Sequence, residues 1–315
     1  MCKSDGMNIT GEITPSMSGQ TEINSRPDAP AVNGAEIEVR ECTTVNEFDA
    51  CVRLQREVFG LPEVELSPRR HLIVSRSAGG WILGAFVGDE LIGFVHHLAA
   101  VRGREVIGYS HMMAVAAAYQ NLGIGARLKW AQRARALDEG VDFIKWTWEP
   151  VRARNAHFNI NRLGVVVRSY AVNFYGTDYH APAGMEGERH GIDSDRLFAE
   201  WELRAPRVEA LAAAANDTRG ATREVTSGKV TSGKVTSGKT TPGARVGNNV
   251  PVVIAAVEIP PDWGALVRDD AATARREQLR VREEFQQAFA RRYVCAGFDR
   301  DPAHPRYLFY TDGDR

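Results

Sequence analysis

The sequence predicts an α/β fold (mixed α+β): a twisted mixed β-sheet flanked by helices, with a C-terminal β-α-β-β extension. Three observations predict it. Short apolar or alternating runs interleave with stretches of helical period between Glu36 and Arg204. A hairpin and a strand–turn–helix both carry glycine at their turns. Periodic order then resumes at Val250, after a low-complexity stretch.

Ile37–Arg40 alternates as a strand does. From Asn46 to Phe59, Phe48, Val52, Gln55 and Phe59 recur at helical spacing, with Thr44 and Asn46 available as caps. Trp81–Val87 and Leu91–Ala100 flank the turn signal Gly88-Asp89 and form a hairpin. Val106–Ala116 is a further apolar run, expected to continue as strand into Tyr119. Ile124–Glu139 is a helix with Ile124, Leu128, Ala131, Ala134 and Leu137 inward, closed by Gly140. Asp142–Trp148 is a strand with Ile144, Trp146 and Trp148 on one face, and the two Trp belong to core or cleft wall. Arg152–Leu163 is a helix along Ala153, Ala156, Ile160 and Leu163, and Val165–Tyr170 and Phe198–Leu203 are strands.

At the C-terminus, Val252–Val257 is a strand. Asp269 or Asp270 caps a helix to about Arg291, with Ala274, Val281, Phe285, Ala288 and Phe289 inward, and Tyr293–Phe298 and Arg306–Tyr310 are short strands. So small a unit is marginal alone. It is expected to pack on the core, with a homodimer contact as the alternative.

Composition divides the chain into a disordered tail (1–34), a folded domain (35–205), a linker (206–249) and the C-terminal element (250–315). The linker repeats VTSGK three times from Val225 to Lys239. Its Gly233, Gly238, Lys239 and Thr240 match a phosphate-loop pattern, but Pro242-Gly243 follow, so no helix can start there. The 315 residues carry 39 Lys and Arg against 40 Asp and Glu, a net charge of -1 that argues against a nucleic-acid coat. No apolar run has the roughly 18 residues of a membrane helix, and the first residues lack a secretory stretch. The expected location is the cytoplasm, with neither nucleic acid nor membrane as partner. Cys2, Cys42, Cys51 and Cys295 suit neither a disulfide framework nor a zinc site, so no metal is expected.

Chemistry concentrates between His111 and Lys129. A strand runs to a glycine turn and then a long helix, whose free N-terminal amides and positive dipole end suit a phosphate. Gln120-x-x-Gly123-x-Gly125 resembles the Gln/Arg-x-x-Gly-x-Gly/Ala signature of the GNAT superfamily of acetyl-CoA-dependent N-acetyltransferases. Met113-Ala114-Val115 resembles that family's fourth strand, and Asn155-Ala156, Ile160 and Leu163-Gly164 its second CoA-facing helix. The similarity spans about Glu36 to Leu203. Trp146-Thr-Trp-Glu-Pro150, Asn155-Ala-His and Asn159-Ile-Asn-Arg-Leu-Gly164 together resemble a bacterial branch of the superfamily.

The resemblance implies acetyl-CoA as co-substrate and a small-molecule amine as acceptor. The amides of Gln120, Asn121, Leu122, Gly123, Ile124, Gly125 and Ala126 would hold the pyrophosphate. The backbone of Met113 and Val115 would pair with the pantetheine arm, and an N–H near Met113 or Ala114 would polarise the acetyl carbonyl. Asn155 would face the pantetheine or the thiol. An ammonium must lose a proton before it attacks, so a base is useful. By period two, Tyr109, His111, Met113 and Val115 share one strand face, which puts His111 toward the acetyl group as candidate base. Glu149 is the rival, and a core histidine with a solvated strand-end glutamate is the bland alternative.

Many family members carry a Tyr acid on the second CoA helix, but counting back from Gly164 that position is Ile160 here. A non-catalytic acyl-CoA-binding module is therefore the alternative function. Lys129, Arg133 and Arg135 read as a solvated helix face, with Arg127 and Lys129 within reach of the CoA 3′-phosphate.

Overall fold

In a computed structural model the described residues are 36–179, 191–226 and 251–313. The expected tail and the phosphate-loop match at 233–240 lie outside them, as do the VTSGK repeats beyond Thr226.

Strand β1 (Ile37–Glu41) leads to α1 (Val45–Phe59). A capping box starts α1: Glu47 N–H donates to the Thr44 hydroxyl, and the Glu47 carboxylate accepts from the Thr44 amide. Helix α2 (Arg69–Ser77) follows, then β2 (Trp81–Val87), β3 (Glu90–Arg102) and β4 (Glu105–Val115). Strand β4 ends at Val115, and Ala117–Tyr119 form a 3-10 turn rather than the expected extension. Next come α3 (Ile124–Asp138), β5 (Phe143–Trp148) and α4 (Ala153–Ala156), which runs on as a π-helical segment over His157–Arg162. The predicted strand at 165–170 is reduced to bridges at Val166 and Val167 and the two-residue β6 (Tyr170–Ala171), before β7 (Arg196–Glu202).

These strands form one sheet in the order β1-β2-β3-β4-β5-β7-β6, in which β4 and β5 pair in parallel and all other neighbours antiparallel. Alternation divides the core. Trp81, Leu83, Ile92 and Val95 pack with Leu128 of α3, while Ile82, Phe86, Phe94 and Ala114 pack with Phe48 and Leu72 of α1 and α2. Helix α2 escaped sequence reading because only Leu72 and Ser75 of its nine residues are buried, too thin a stripe to show a period.

The composition at residue 206 predicts a linker. Instead the chain forms α5 (Pro206–Thr226), whose Val208, Leu211, Ala212 and Ala215 lie at i, i+3, i+4 and i+7 and pack on the core. Arg207 ties its first turn to the carbonyls of Ile160 and Ala296. The C-terminal residues form β8 (Ala255–Glu258), α6 (Trp263–Asp269), α7 (Ala271–Ala290), β9 (Val294–Asp299) and β10 (Arg306–Tyr310). Asp270 caps α7 through the Thr273 amide, and β8-β10-β9 make a second, antiparallel sheet. Val257, Phe285, Tyr307 and Phe309 join the cluster that holds Ile160 and Trp201. The Tyr307 hydroxyl donates to Pro150 O at 2.6 Å and accepts from Trp148 Nε1 at 3.2 Å, so this element buttresses the end of β5. No helix of the described residues is long and apolar enough to cross a membrane.

Lys129 is not on a solvated face. It is 2% exposed, with Nζ 3.7 Å from the Trp146 ring centroid, donating to Ser110 Oγ at 2.8 Å and Gln132 Oε1 at 3.0 Å. Burial pushes its pKa well down. The unfolded chain therefore binds a proton that the folded chain refuses, and stability rises with pH toward the free amine's range, about 10.4. Lys129→Met is expected to raise Tm at neutral pH and to flatten its rise toward about pH 10. Melts of the two proteins with equal slopes would refute a lowered Lys129 pKa. Arg133 and Arg135 are likewise engaged, with Leu203 O and with Glu41 and Glu139.

Candidate functional site

Strand β4 pairs with β5 only at Gly108–Ile144 and Tyr109–Lys145. Beyond Tyr109 the two strands have no ladder between them, so the β5-facing edge of β4 from Ser110 to Val115 is unpaired within the sheet. An open strand edge is a template for an extended, amide-bearing ligand.

The turn after this edge holds the predicted cradle. Asn121 (φ 67°) and Gly123 (φ 79°) take left-handed backbone, and Gly123 caps α3. Gln120 N donates to Ala117 O, and Arg127 N to Gly123 O. Among the described residues the six amides between them, Asn121 to Ala126, make no hydrogen bond of good geometry to backbone. A run of unused amides at a helix N-terminus is a nest for an anion. At Gly125 an added Cβ would lie 3.4 Å from Met113 Cε and 3.8 Å from Phe158 Cζ, so this glycine keeps the floor of the turn low. Gln120 braces the turn, its Nε2 donating to Val115 O at 3.1 Å and its Oε1 accepting from Arg154 at 3.3 Å. Arg154 thereby stands exposed beside the cradle, a cation that sequence reading missed. Arg127, expected near phosphate, donates instead to Ile37 O. Asn155 is exposed on α4.

The period-two assignment of one face to Tyr109, His111, Met113 and Val115 does not hold. His96 of β3 lies opposite Met112 and His97 opposite Ser110, which leaves His111 as the extra residue of a bulge. Ser110 and Met113 both meet α3, through Lys129 and Gly125, although they are three residues apart. Tyr109 and His111 therefore point to the other face, where α1 and α2 pack. The same face carries Thr147 and Glu149 of β5 and Arg196 and Phe198 of β7, as well as Tyr175 beyond β6. The bulge sends the two sets of residues to opposite sides of one opening.

His111 Nε2 is 3.0 Å from Ser67 Oγ, and burial, followed by His71, lowers its pKa from the ordinary imidazole value. It is thus neutral at pH 7 and able to accept a proton. Glu149 is occupied: Arg152 Nε donates to it at 2.8 Å, and Arg196 lies 3.8 Å away. The Tyr109 phenol is pushed up to about 12 by burial and by Tyr175, so it keeps its proton. Ile160, at the position of the absent acid, is fully buried in the core.

Residues 48–161 match the model of the acetyltransferase (GNAT) family. No curated protein matches the chain. Among solved structures, similarity extends to the ribosomal-protein-S18-alanine N-acetyltransferase of Escherichia coli (12% identity over 54% of this chain and 96% of that one, TM-score 0.43). It extends also to an acetyltransferase of the GNAT family from Streptococcus pneumoniae (19%, 52% and 98%, TM-score 0.41). A third is a GNAT family acetyltransferase from Elizabethkingia anophelis with acetyl-CoA bound (17%, 53% and 97%, TM-score 0.38).

Proposed function

We propose, from the premise that this chain belongs to the GNAT superfamily of acetyltransferases through residues 48–161, that it transfers an acetyl group from acetyl-CoA to the nitrogen of a small-molecule amine. The observation that carries this reading is the continuity of the free amides of Asn121–Ala126 with the unpaired edge of β4, and the presence of a neutral histidine across the bulge.

The residues fit the coenzyme. The amide nest and Arg154 suit its diphosphate, and the edge at Met113 and Val115 suits the amides of its arm. When bound, acetyl-CoA supplies an activated acyl carbon. The chain's own groups do the rest. An N–H at Met113 or Ala114 would polarise the acetyl carbonyl oxygen. His111 takes the proton of the incoming amine on its free nitrogen, and Tyr109 holds a proton on the same face.

The buried Ile160 favours one competing reading, a module that binds acyl-CoA without turning it over. Release of CoA thiol, measured with acetyl-CoA against a broad panel of metabolite amines, decides between them. Release with at least one amine is expected. A rise in Tm with acetyl-CoA but no release with any amine would establish the binding module instead.

A further inference from the structure

Three imidazoles meet on the amine-side face, and the site as described uses only one. His71 of α2, His96 of β3 and His111 of β4 stand edge to face in a triangle, with ring centroids 5.4, 5.5 and 5.6 Å apart. Among the described residues no group of His, Cys, Asp and Glu is arranged to hold a metal ion, and the contacts within the triangle are hydrogen bonds through serines. Ser67 Oγ lies 3.0 Å from His111 Nε2 and 3.2 Å from His71 Nδ1.

The serine is held there. Its amide donates to Gln55 Oε1 at 2.8 Å and its carbonyl accepts from Gln55 Nε2 at 3.2 Å. Gln55 is fully buried on α1, so a two-point clamp fixes the hydroxyl between the rings. A hydroxyl has one proton, so it donates to one ring and accepts from the other. Moving that proton across reverses both bonds.

His96 does not serve as the outlet. Ser75 donates its only proton to Leu72 O, so its oxygen must accept from His96 Nε2–H, 2.7 Å away. That leaves His96 Nδ1 as a bare, buried acceptor without a partner. Burial, then His111, His71 and His97, hold His96 down to about 3. It stays neutral and lends the triangle polarity without charge. His71, by contrast, is only half-buried and reaches the protein surface. Among the described residues, His71 is the titratable group that lowers His111, and His111, His71 and His97 are those that lower His96.

We propose that Ser67 and His71 form a proton relay that discharges His111. Resting His111 carries its proton on Nε2 and donates to Ser67 Oγ, and Ser67 donates to His71 Nδ1. His111 Nδ1 takes the proton of the amine. The Nε2 proton passes to Ser67 Oγ as the serine proton passes to His71 Nδ1, and His71 releases its Nε2 proton to solvent. One proton enters, one leaves, and His111 is neutral again with its proton on Nδ1. For reset, His71 Nε2 takes a proton from solvent, both serine hydrogen bonds reverse again, and His111 Nδ1 gives up its proton through the open site, so the resting tautomer is restored before the next amine binds. His71 and Ser67 are positioning residues, since they act through His111. The inference rests on the acyl-transfer reading of the site.

The test uses the full chain and the variants Ser67→Ala and His71→Gln. In the ligand-free protein, 15N NMR of the histidine rings is expected to find resting His111 as the Nε2–H tautomer and His96 neutral throughout pH 5–8. His111 found with its proton on Nδ1 at rest would overturn the relay. In turnover, both variants are expected to keep KM for acetyl-CoA and its Tm shift while kcat falls about 10-fold, less than the roughly 10²–10⁴ of a general base itself. The solvent deuterium effect on kcat is expected to rise in both, and imidazole to restore His71→Gln. Unchanged kcat in both variants would also overturn it. Absence of CoA release with every amine would count against acyl transfer itself, and the NMR result would still decide the relay.

Discussion

Gly125→Trp is expected to fold and to lose all protection by acetyl-CoA. At about 100 times Kd the coenzyme should stabilise the wild-type chain by about 2.7 kcal/mol. For a domain of this size that is roughly 5–10 °C in Tm, at about 2–4 °C per kcal/mol. The residue stands second in α3, inside the run of amides that, among the described residues, make no hydrogen bond to backbone. A Cβ there meets Met113 and Phe158 at ordinary contact distance, so Gly125→Ala is accommodated and should keep most of the shift. An indole extends past both side chains and fills the space that the amides face. Loss of the anchor should also lower kcat/KM by about 10²-fold or more, the equivalent of about 2.7 kcal/mol. Thermal melts with and without acetyl-CoA check both variants. Full protection of Gly125→Trp would place the coenzyme elsewhere and remove the basis of the functional reading. Gly123→Val is a weaker probe, because its φ of 79° strains any side chain even though no atom lies within 4 Å of a Cβ.

What could be read from the sequence followed from local rules. The strands of the sheet other than that at 165–170, the hairpin, the cap at Thr44 and the glycine turn before α3 all rest on short-range periods or on backbone chemistry, and the structure has them. The turn proposed as a cradle was legible for the same reason: it is made of backbone, and glycine marks where that backbone turns left-handed. The histidine triangle was not legible, because its members lie on three elements and a bulge decides where His111 points. One extra residue inverts the alternation, and nothing in the run Tyr109–Val115 marks it. Lys129 misled for a related reason. Sequence reading assigns a lysine on a helix to solvent, but the helix face is set by what the sheet presents, here Trp146 and Trp201. Residues 206–226 show the converse error, in which an alanine-rich composition hid a real apolar stripe.

His111→Ala is expected to lower kcat/KM by about 10²–10⁴ and to remove the acidic limb of its pH profile. Burial and His71 lower the His111 pKa, so the neutral base is the main form at pH 7 and is lost only as pH falls below the ordinary imidazole range, about 6.5. The wild-type rate should therefore be flat through neutrality and drop on the acid side. His111→Gln separates proton transfer from packing, since an amide can still hydrogen-bond Ser67 but cannot take the proton of an ammonium. Both variants should lose the limb and keep the acetyl-CoA Tm shift, because His111 lies across the bulge from Met113 and the cradle. Glu149→Gln provides the contrast. Its carboxylate is engaged by Arg152 and Arg196, so its loss should cost stability more than rate. A His111→Ala enzyme that kept both kcat/KM and the acid limb, beside a Glu149→Gln enzyme that lost them, would transfer the role of base to Glu149. In that case the two arginines would act to hold the base in place.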